Sequence, residues 1–257
     1  MNNIFDSHAH YDAKQFNPDR DELLVCLPGR GVRLVMSAAD NLASARRAVA
    51  LAEKYSYIYC SAGIHPHDAK NAPQDMESQL RGIVKSSPKV RAIGECGLDY
   101  HYDFSPRETQ LSVFERQLDL ANELSLPVIV HDREAHADTL RILQKHKPRG
   151  VVHCFSGSAE TARELVKLGL YIGFTGVVTF PNARGVKEAA AAVPLSRLLV
   201  ETDCPYMAPV PFRGKRCDSS MLPHTIEALA DIHKTGAQEL ADITFKNACE
   251  LFGIVES

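Results

Sequence analysis

The stretch Asp6-Ser7-His8-Ala9-His10 follows two apolar residues and sets two imidazoles one residue apart. If Phe5 to His10 is a strand, side chains alternate between faces, so Asp6, His8 and His10 share one face. Two neutral imidazoles side by side at a strand end are half of a site for a divalent cation. A lone His-x-His is more often one buried, hydrogen-bonded histidine beside an exposed one. Here the event recurs: other apolar runs lead into His65, Glu95, His131, His153 and the pair Glu201 and Asp203.

Imidazole with carboxylate suits Mg²⁺, Mn²⁺ or Zn²⁺. Two such ions about 3.5–4 Å apart need a shared ligand and can together activate water for in-line attack. Glu95, with two oxygens, is the natural bridge. The expected arrangement puts one ion on His8, His10, Glu95 and Asp203, and a second on Glu95, His131 and His153. Asp203 is also a candidate general base toward the attacking water. His65 is needed for neither ion; it is expected to bind a substrate phosphate or protonate the leaving oxygen, or else to be structural beside Pro66. Glu201, two residues before Asp203, is expected to support a metal-bound histidine from behind. His101, His136, His146, His224 and His233 fall in loops or helices and read as solvated or structural.

These residues need elements to position them. Strands are expected over Phe5 to His10, Val32 to Ala38, Tyr57 to Ala62, Val90 to Gly94, Pro127 to Val130, Val151 to Val152, Tyr171 to Phe174 and Leu198 to Val200. Between them helical spacing predicts helices over Pro18 to Gly31, Leu42 to Lys54, Asp75 to Lys85, Pro106 to Leu124, Glu134 to His146, Ala159 to Leu168 and Val186 to Val193. Ser105-Pro106 reads as an N-cap with proline at the first helical position. Leu222 to His233 and Gln238 to Phe252 read as closing helices. About eight strand-then-helix units of about 30 residues are the pattern of an α/β fold, a (β/α)₈ TIM barrel. A doubly wound open sheet is the competitor, but no Gly-x-Gly-x-x-Gly follows the first strand. In a barrel the strand C-termini face one another around one rim, where the ionisable residues would meet.

The bulk properties agree with this. The 257 residues, 45% hydrophobic and 24% charged, suffice for one barrel domain over 1–257. A net charge of −3 excludes indiscriminate coating of nucleic acid, but not a nucleic-acid substrate met by bound cations. Seven widely spaced cysteines without a Cys-x-x-Cys read as reduced thiols. No secretory signal and no membrane-spanning run is visible, so a cytoplasmic protein with no membrane association is expected.

Together the motifs resemble a known family. Asp6-Ser7-His8-Ala9-His10, Gly63-Ile64-His65-Pro66-His67, Gly94-Glu95-Cys96-Gly97-Leu98-Asp99-Tyr100, Val130-His131, His153-Cys154-Phe155-Ser156-Gly157 and Glu201-Thr202-Asp203-Cys204-Pro205-Tyr206 are similar to the motifs of the TatD metal-dependent deoxyribonucleases, in family order. The resemblance implies a TIM barrel of the metallo-dependent hydrolase superfamily, two divalent metal ions and phosphodiester hydrolysis of DNA, single-stranded DNA included, often from the 3′ end. It implies a deoxyribonuclease; separately, a monomer or weak oligomer is expected. Cys96 and Cys204 depart from the family's usual residues, and both are expected to be buried and inert. Arg213-Gly214-Lys215-Arg216-Cys217-Asp218 lacks the Asn-Glu-Pro that commonly continues this run in the family.

Arg213, Lys215 and Arg216 read equally well as a phosphate clamp or as a solvated charged loop. Tyr100, His101, Tyr102 and Phe104 either stack nucleobases or form a small lid. The alternative activity is a metal-dependent amidohydrolase or esterase acting on a small molecule or an aminoacyl ester, since one fold serves many reactions. The basic loop favours phosphate, and no lysine stands at a strand end as a bridging ligand. A metal-binding protein without turnover is disfavoured because a structural site needs no open two-metal geometry.

Overall fold

The apolar runs are strands, and they curl into a ring. The computed structural model of the chain describes residues 1–255. The strands are β1 Ile4–Ala9, β2 Val32–Ser37, β3 Ile58–Ala62, β4 Val90–Asp99, β5 Val128–Arg133, β6 Gly150–Val152, β7 Tyr171–Phe174 and β8 Leu198–Val200. The helices are α1 Arg20–Cys26, α2 Leu42–Lys54, α3 Met76–Ser86, α4 Arg107–Leu124, α5 His136–His146, α6 Ala159–Lys167, α7 Arg184–Ala192, α8 Leu222–His233 and α9 Ala237–Phe252. The strands pair in parallel and in chain order from β1 to β8. The ring is completed by the segment leaving β8: Ala9 bridges Cys204, His10 N donates to the Cys204 carbonyl (2.8 Å) and Asp203 N to the His8 carbonyl (2.9 Å). This is the expected (β/α)₈ barrel.

Each crossover helix buries one stripe against the strands. In α2 the stripe is Ala45, Ala48 and Ala52, small residues at helical spacing that let the helix lie close to the sheet. Asn41 caps α2 by accepting from Ala43 N and Ser44 N. A second apolar cluster takes side chains from all eight strands, Phe5, Tyr59, Ala92, Ile129, Val151 and Leu199 among them, and closes against Phe245, Leu251 and Phe252 of α9. Only a barrel interior collects one position from every strand, so this cluster is the floor, and α9 seals it.

Four elements differ from the sequence expectation, and the differences in β4, β5 and the start of α4 bear on the rim. β4 continues five residues past Gly94, and β5 three past Val130, because their ladder extends through Gly97↔His131 to Asp99↔Arg133. The glycines that read as a strand end serve close approach instead: a Cβ on Gly97, at φ +144°, would fall 1.9 Å from the His131 carbonyl oxygen. The segment read as one helix from Pro18 is α1 followed by a 3₁₀ turn over Pro28–Arg30. Ser105 does not cap α4; its hydroxyl donates to the His67 carbonyl (3.0 Å) and accepts from Lys70 N (3.1 Å), tying the β3 and β4 loops together.

Candidate active site

The rim opposite the floor opens into one cavity of about 670 Å³, lined by His10, His65, Glu95, His131, His153 and Asp203 among others. His8 belongs to the same group but is wholly buried beneath it. Strand pitch explains the convergence. His8 lies within β1 and His131 within β5; Glu95 lies mid-way along β4; His153 follows β6 directly. His65 and Asp203 sit three residues beyond β3 and β8, so they are loop residues rather than strand ends. Asp203 has a left-handed backbone (φ 56°), which aspartate tolerates better than most residues.

Glu95 is the centre. Its Oε2 lies 3.2 Å from His8 Nε2 and 3.4 Å from His10 Nε2. Asp203 Oδ1 is 3.6 Å from His8 Nε2 and 3.3 Å from His10 Nε2, and the two imidazole nitrogens are 3.0 Å apart. The other oxygen, Oε1, faces a different set: His153 Nε2 at 2.7 Å, His131 Nδ1 at 2.9 Å and His65 Nε2 at 3.2 Å. Metal–ligand bonds of about 2.0–2.1 Å place tetrahedral ligand atoms about 3.3 Å apart. The separations around Oε2 bracket that value, so His8, His10, Glu95 and Asp203 fit one divalent cation. Glu95, His131 and His153 fit a second.

The outer nitrogens of three rings turn to carboxylates. His131 Nε2 lies 3.1 Å from Asp99 Oδ2, His10 Nδ1 3.4 Å from Asp40 Oδ1, and His153 Nδ1 3.6 Å from Glu201 Oε1. A carboxylate behind a histidine holds its ring orientation and raises its basicity as a ligand. Glu201 stands beside His153. It also accepts from Cys154 N and Ser7 Oγ, and Gly173 leaves it room: a Cβ there would fall 2.4 Å from Glu201 Oε2. Asp99 and Asp40 were not anticipated. Period-two counting from Glu95 through Gly97 reaches Asp99, but only if the strand is carried past the glycines.

Electrostatics divide the histidines: His8 and His65 are held neutral, while carboxylates draw His10, His131 and His153 toward protonation. Burial pushes the Glu95 carboxyl up, but His153, His65 and His8 outweigh it and hold Glu95 well below the usual carboxylate range. Burial, helped by His153, lowers His8, and burial lowers His65 to about 4. His10 and His153 are raised against the effect of burial by Asp40 and Glu95 respectively. A cation competing for those lone pairs displaces the protons. His65 is a special case. Its Nδ1 accepts from His67 N (3.1 Å), so the neutral ring carries its proton on Nε2, pointed at Glu95 Oε1. That makes His65 a donor in the cavity rather than a lone-pair ligand.

Asp6 shares the His8 face but is not part of the cluster. It accepts from Thr202 N (2.9 Å), Thr202 Oγ1 (2.6 Å) and Ser219 Oγ (2.6 Å), clamping β1 to the segment after β8, and burial raises it to about 7. Cys96 and Cys204 are fully buried with thiols pushed up by burial, as inert packing residues are. The basic loop is not brought to the cavity. Arg216 pairs with Asp19 (2.6 Å) and lies over Phe16, Arg213 lies over Phe180, and Lys215 is exposed; none of the three lines the cavity. Of the two readings of that loop, the charged-loop one fits Arg216, which is held in an ion pair with Asp19.

The profile of the TatD related DNase family matches residues 5–253. The chain is 40% identical over 254 residues to "uncharacterized metal-dependent hydrolase YabD" of Bacillus subtilis strain 168, covering 98% of this chain and 99% of that one. It is 35% identical over 260 residues to "3′-5′ ssDNA/RNA exonuclease TatD" of Escherichia coli K12, covering 98% and 99%. Among solved structures it resembles that of YJJV, a TatD homologue from E. coli K12, with a TM-score of 0.92 and 32% identity over 98% and 99% of the chains. No helix among the described residues is long and apolar enough to cross a membrane. Barrel, histidine and carboxylate cluster, and full-length similarity agree: the chain is a hydrolase belonging to the TatD-related DNase family.

Proposed function

We propose that the protein is a two-metal phosphodiesterase that shortens DNA, single strands included, from the 3′ end. The observation that carries this reading is the split of Glu95, with one oxygen facing His8 and His10 and the other facing His131 and His153. A carboxylate so placed suits a bridge between two cations, for which His8, His10 and Asp203 supply the remaining ligands on one side and His131 and His153 on the other. A bound pair of Mg²⁺, Mn²⁺ or Zn²⁺ ions would supply a water activated for attack and charge stabilisation at a phosphate. Asp203, exposed to the cavity, is the group positioned to take the proton of that water. His65 offers its Nε2–H to a phosphate oxygen or to the leaving oxygen. The 3′-5′ ssDNA/RNA exonuclease activity for which the E. coli relative is named supports the polarity and the single-stranded substrate.

The test is incubation of an end-labelled single-stranded oligonucleotide with the purified protein and Mn²⁺ or Mg²⁺. Stepwise shortening from the 3′ end is expected. Intact DNA alongside turnover of a small ester or amide would overturn the phosphodiester reading in favour of an amidohydrolase or esterase.

A further inference from the structure

The cavity has a charge problem. Six carboxylates line it, Asp40, Asp68, Glu95, Asp99, Asp132 and Asp203, and the basic loop lies elsewhere. Bound cations would offset the charge near Glu95 and leave the outer cavity acidic. Among the lining residues there is one permanent cation, Arg133. It stands at the end of β5, two residues after His131, so the two share a face and Arg133 is about 6.6 Å further out along the strand. Its guanidinium lies over the Tyr102 ring, 4.7 Å from the centroid. Among the described residues its guanidinium has no carboxylate or hydrogen-bond partner, whereas Arg81, Arg107, Arg116, Arg141 and Arg216 are each paired with a carboxylate.

The geometry points to Arg133, seated over Tyr102, as the residue that binds a substrate phosphate at the cavity mouth. This rests on the phosphodiester reading above and assigns the anion contact within it. An arginine is always charged and presents a planar fork that matches two phosphate oxygens. Stacking on an aromatic ring fixes that plane while leaving the N–H edge free. A neutral ester would gain nothing from it. Phosphate recognition thus comes from the strand that carries His131, which fixes its distance to the reacting centre more tightly than a mobile loop would.

The test uses the full chain with Mn²⁺ and a short single-stranded oligonucleotide, together with versions in which successive phosphates are replaced by neutral methylphosphonate. In the wild type one methylphosphonate position should raise KM sharply. Arg133→Met should raise KM for the unmodified strand by about ten- to a hundredfold with little change in kcat. It should also show no further penalty at that same methylphosphonate position. Arg133→Lys should recover only part of the loss, and Tyr102→Leu should show a smaller rise in KM. Unchanged KM in Arg133→Met, or a methylphosphonate penalty that survives in it, would overturn the assignment, as would the same loss of coupling in an Arg213→Ala/Lys215→Ala double variant. If the wild type does not cleave DNA at all, the phosphodiester reading fails first and the Arg133 assignment falls with it. A Met variant that does not fold would be replaced by Arg133→Gln, read by the same coupling.

Discussion

The two ends of the barrel are made from the same strands and obey opposite rules. On β5, Ile129 packs into the floor while His131, two residues on and on the same face, reaches the cavity. Val151 of β6 and His153 just beyond it repeat the pair. At the floor Phe5 meets Phe245 and Phe252 at ring separations of 6.1 and 5.8 Å, and α9 covers them. At the rim His8 and His10 bring ring nitrogens to 3.0 Å of each other, beside the buried Glu95 and the partly exposed Asp203. The floor removes apolar surface from water and stabilises the fold. The rim buries charge and lone pairs that favour a cation over one another, and so costs stability unless something binds. A barrel can carry such a rim because its floor is strong.

Five changes would break or sharpen this division, in order of expected size. Glu95→Ala should lower turnover by about 10⁴-fold or more, ~5.4 kcal/mol in the barrier, and leave the metal-free melting temperature unchanged or higher. Asp203→Ala should behave alike; near-normal turnover in either would refute their roles. Phe252→Ala should cost about 3–5 kcal/mol of unfolding free energy yet keep kcat/KM close to wild type wherever the chain is folded. If activity fell in step with stability, the ends would not be separable. Adding Mn²⁺ at about a hundred times its Kd to chelator-treated protein should stabilise it by about 2.7 kcal/mol. A melting curve indifferent to Mn²⁺, Mg²⁺ and Zn²⁺ would remove the cation site, and the shift should vanish in Glu95→Ala. Glu201→Gln should weaken metal binding by about 10–100-fold, measured by calorimetry, with turnover largely restored at saturating metal. Undiminished affinity would make Glu201 a purely structural acceptor of Cys154 N and Ser7 Oγ.

Much of this was legible beforehand because its signals are local. His8 and His10 share a face by strand pitch alone, and apolar runs ending at His131 and His153 name their own strands. Residue type then limits the chemistry: imidazole and carboxylate together suit a divalent cation. Asp99 was hidden by Gly94 and Gly97, which read locally as a strand end and serve in space as a close contact with β5. Arg133 was hidden because it stands beyond the apolar run, where charged residues are ordinary. The basic loop read equally well as clamp or solvated run, because a run of charge looks free in one dimension; Asp19, 197 residues away, claims Arg216.

The chain alone therefore determined which residues could do chemistry, the alternation of strand and helix that carries them, and the end of each strand on which they fall. Barrel closure decided the rest: that Glu95 splits its oxygens between two histidine groups, that Asp99, Asp40 and Glu201 stand behind three of the rings, and that Arg133 rather than the late basic loop faces the cavity. The physical reason is range. Pitch and residue type act within a few positions, whereas the partner of a buried charge is whatever group folding brings within about 4 Å of it.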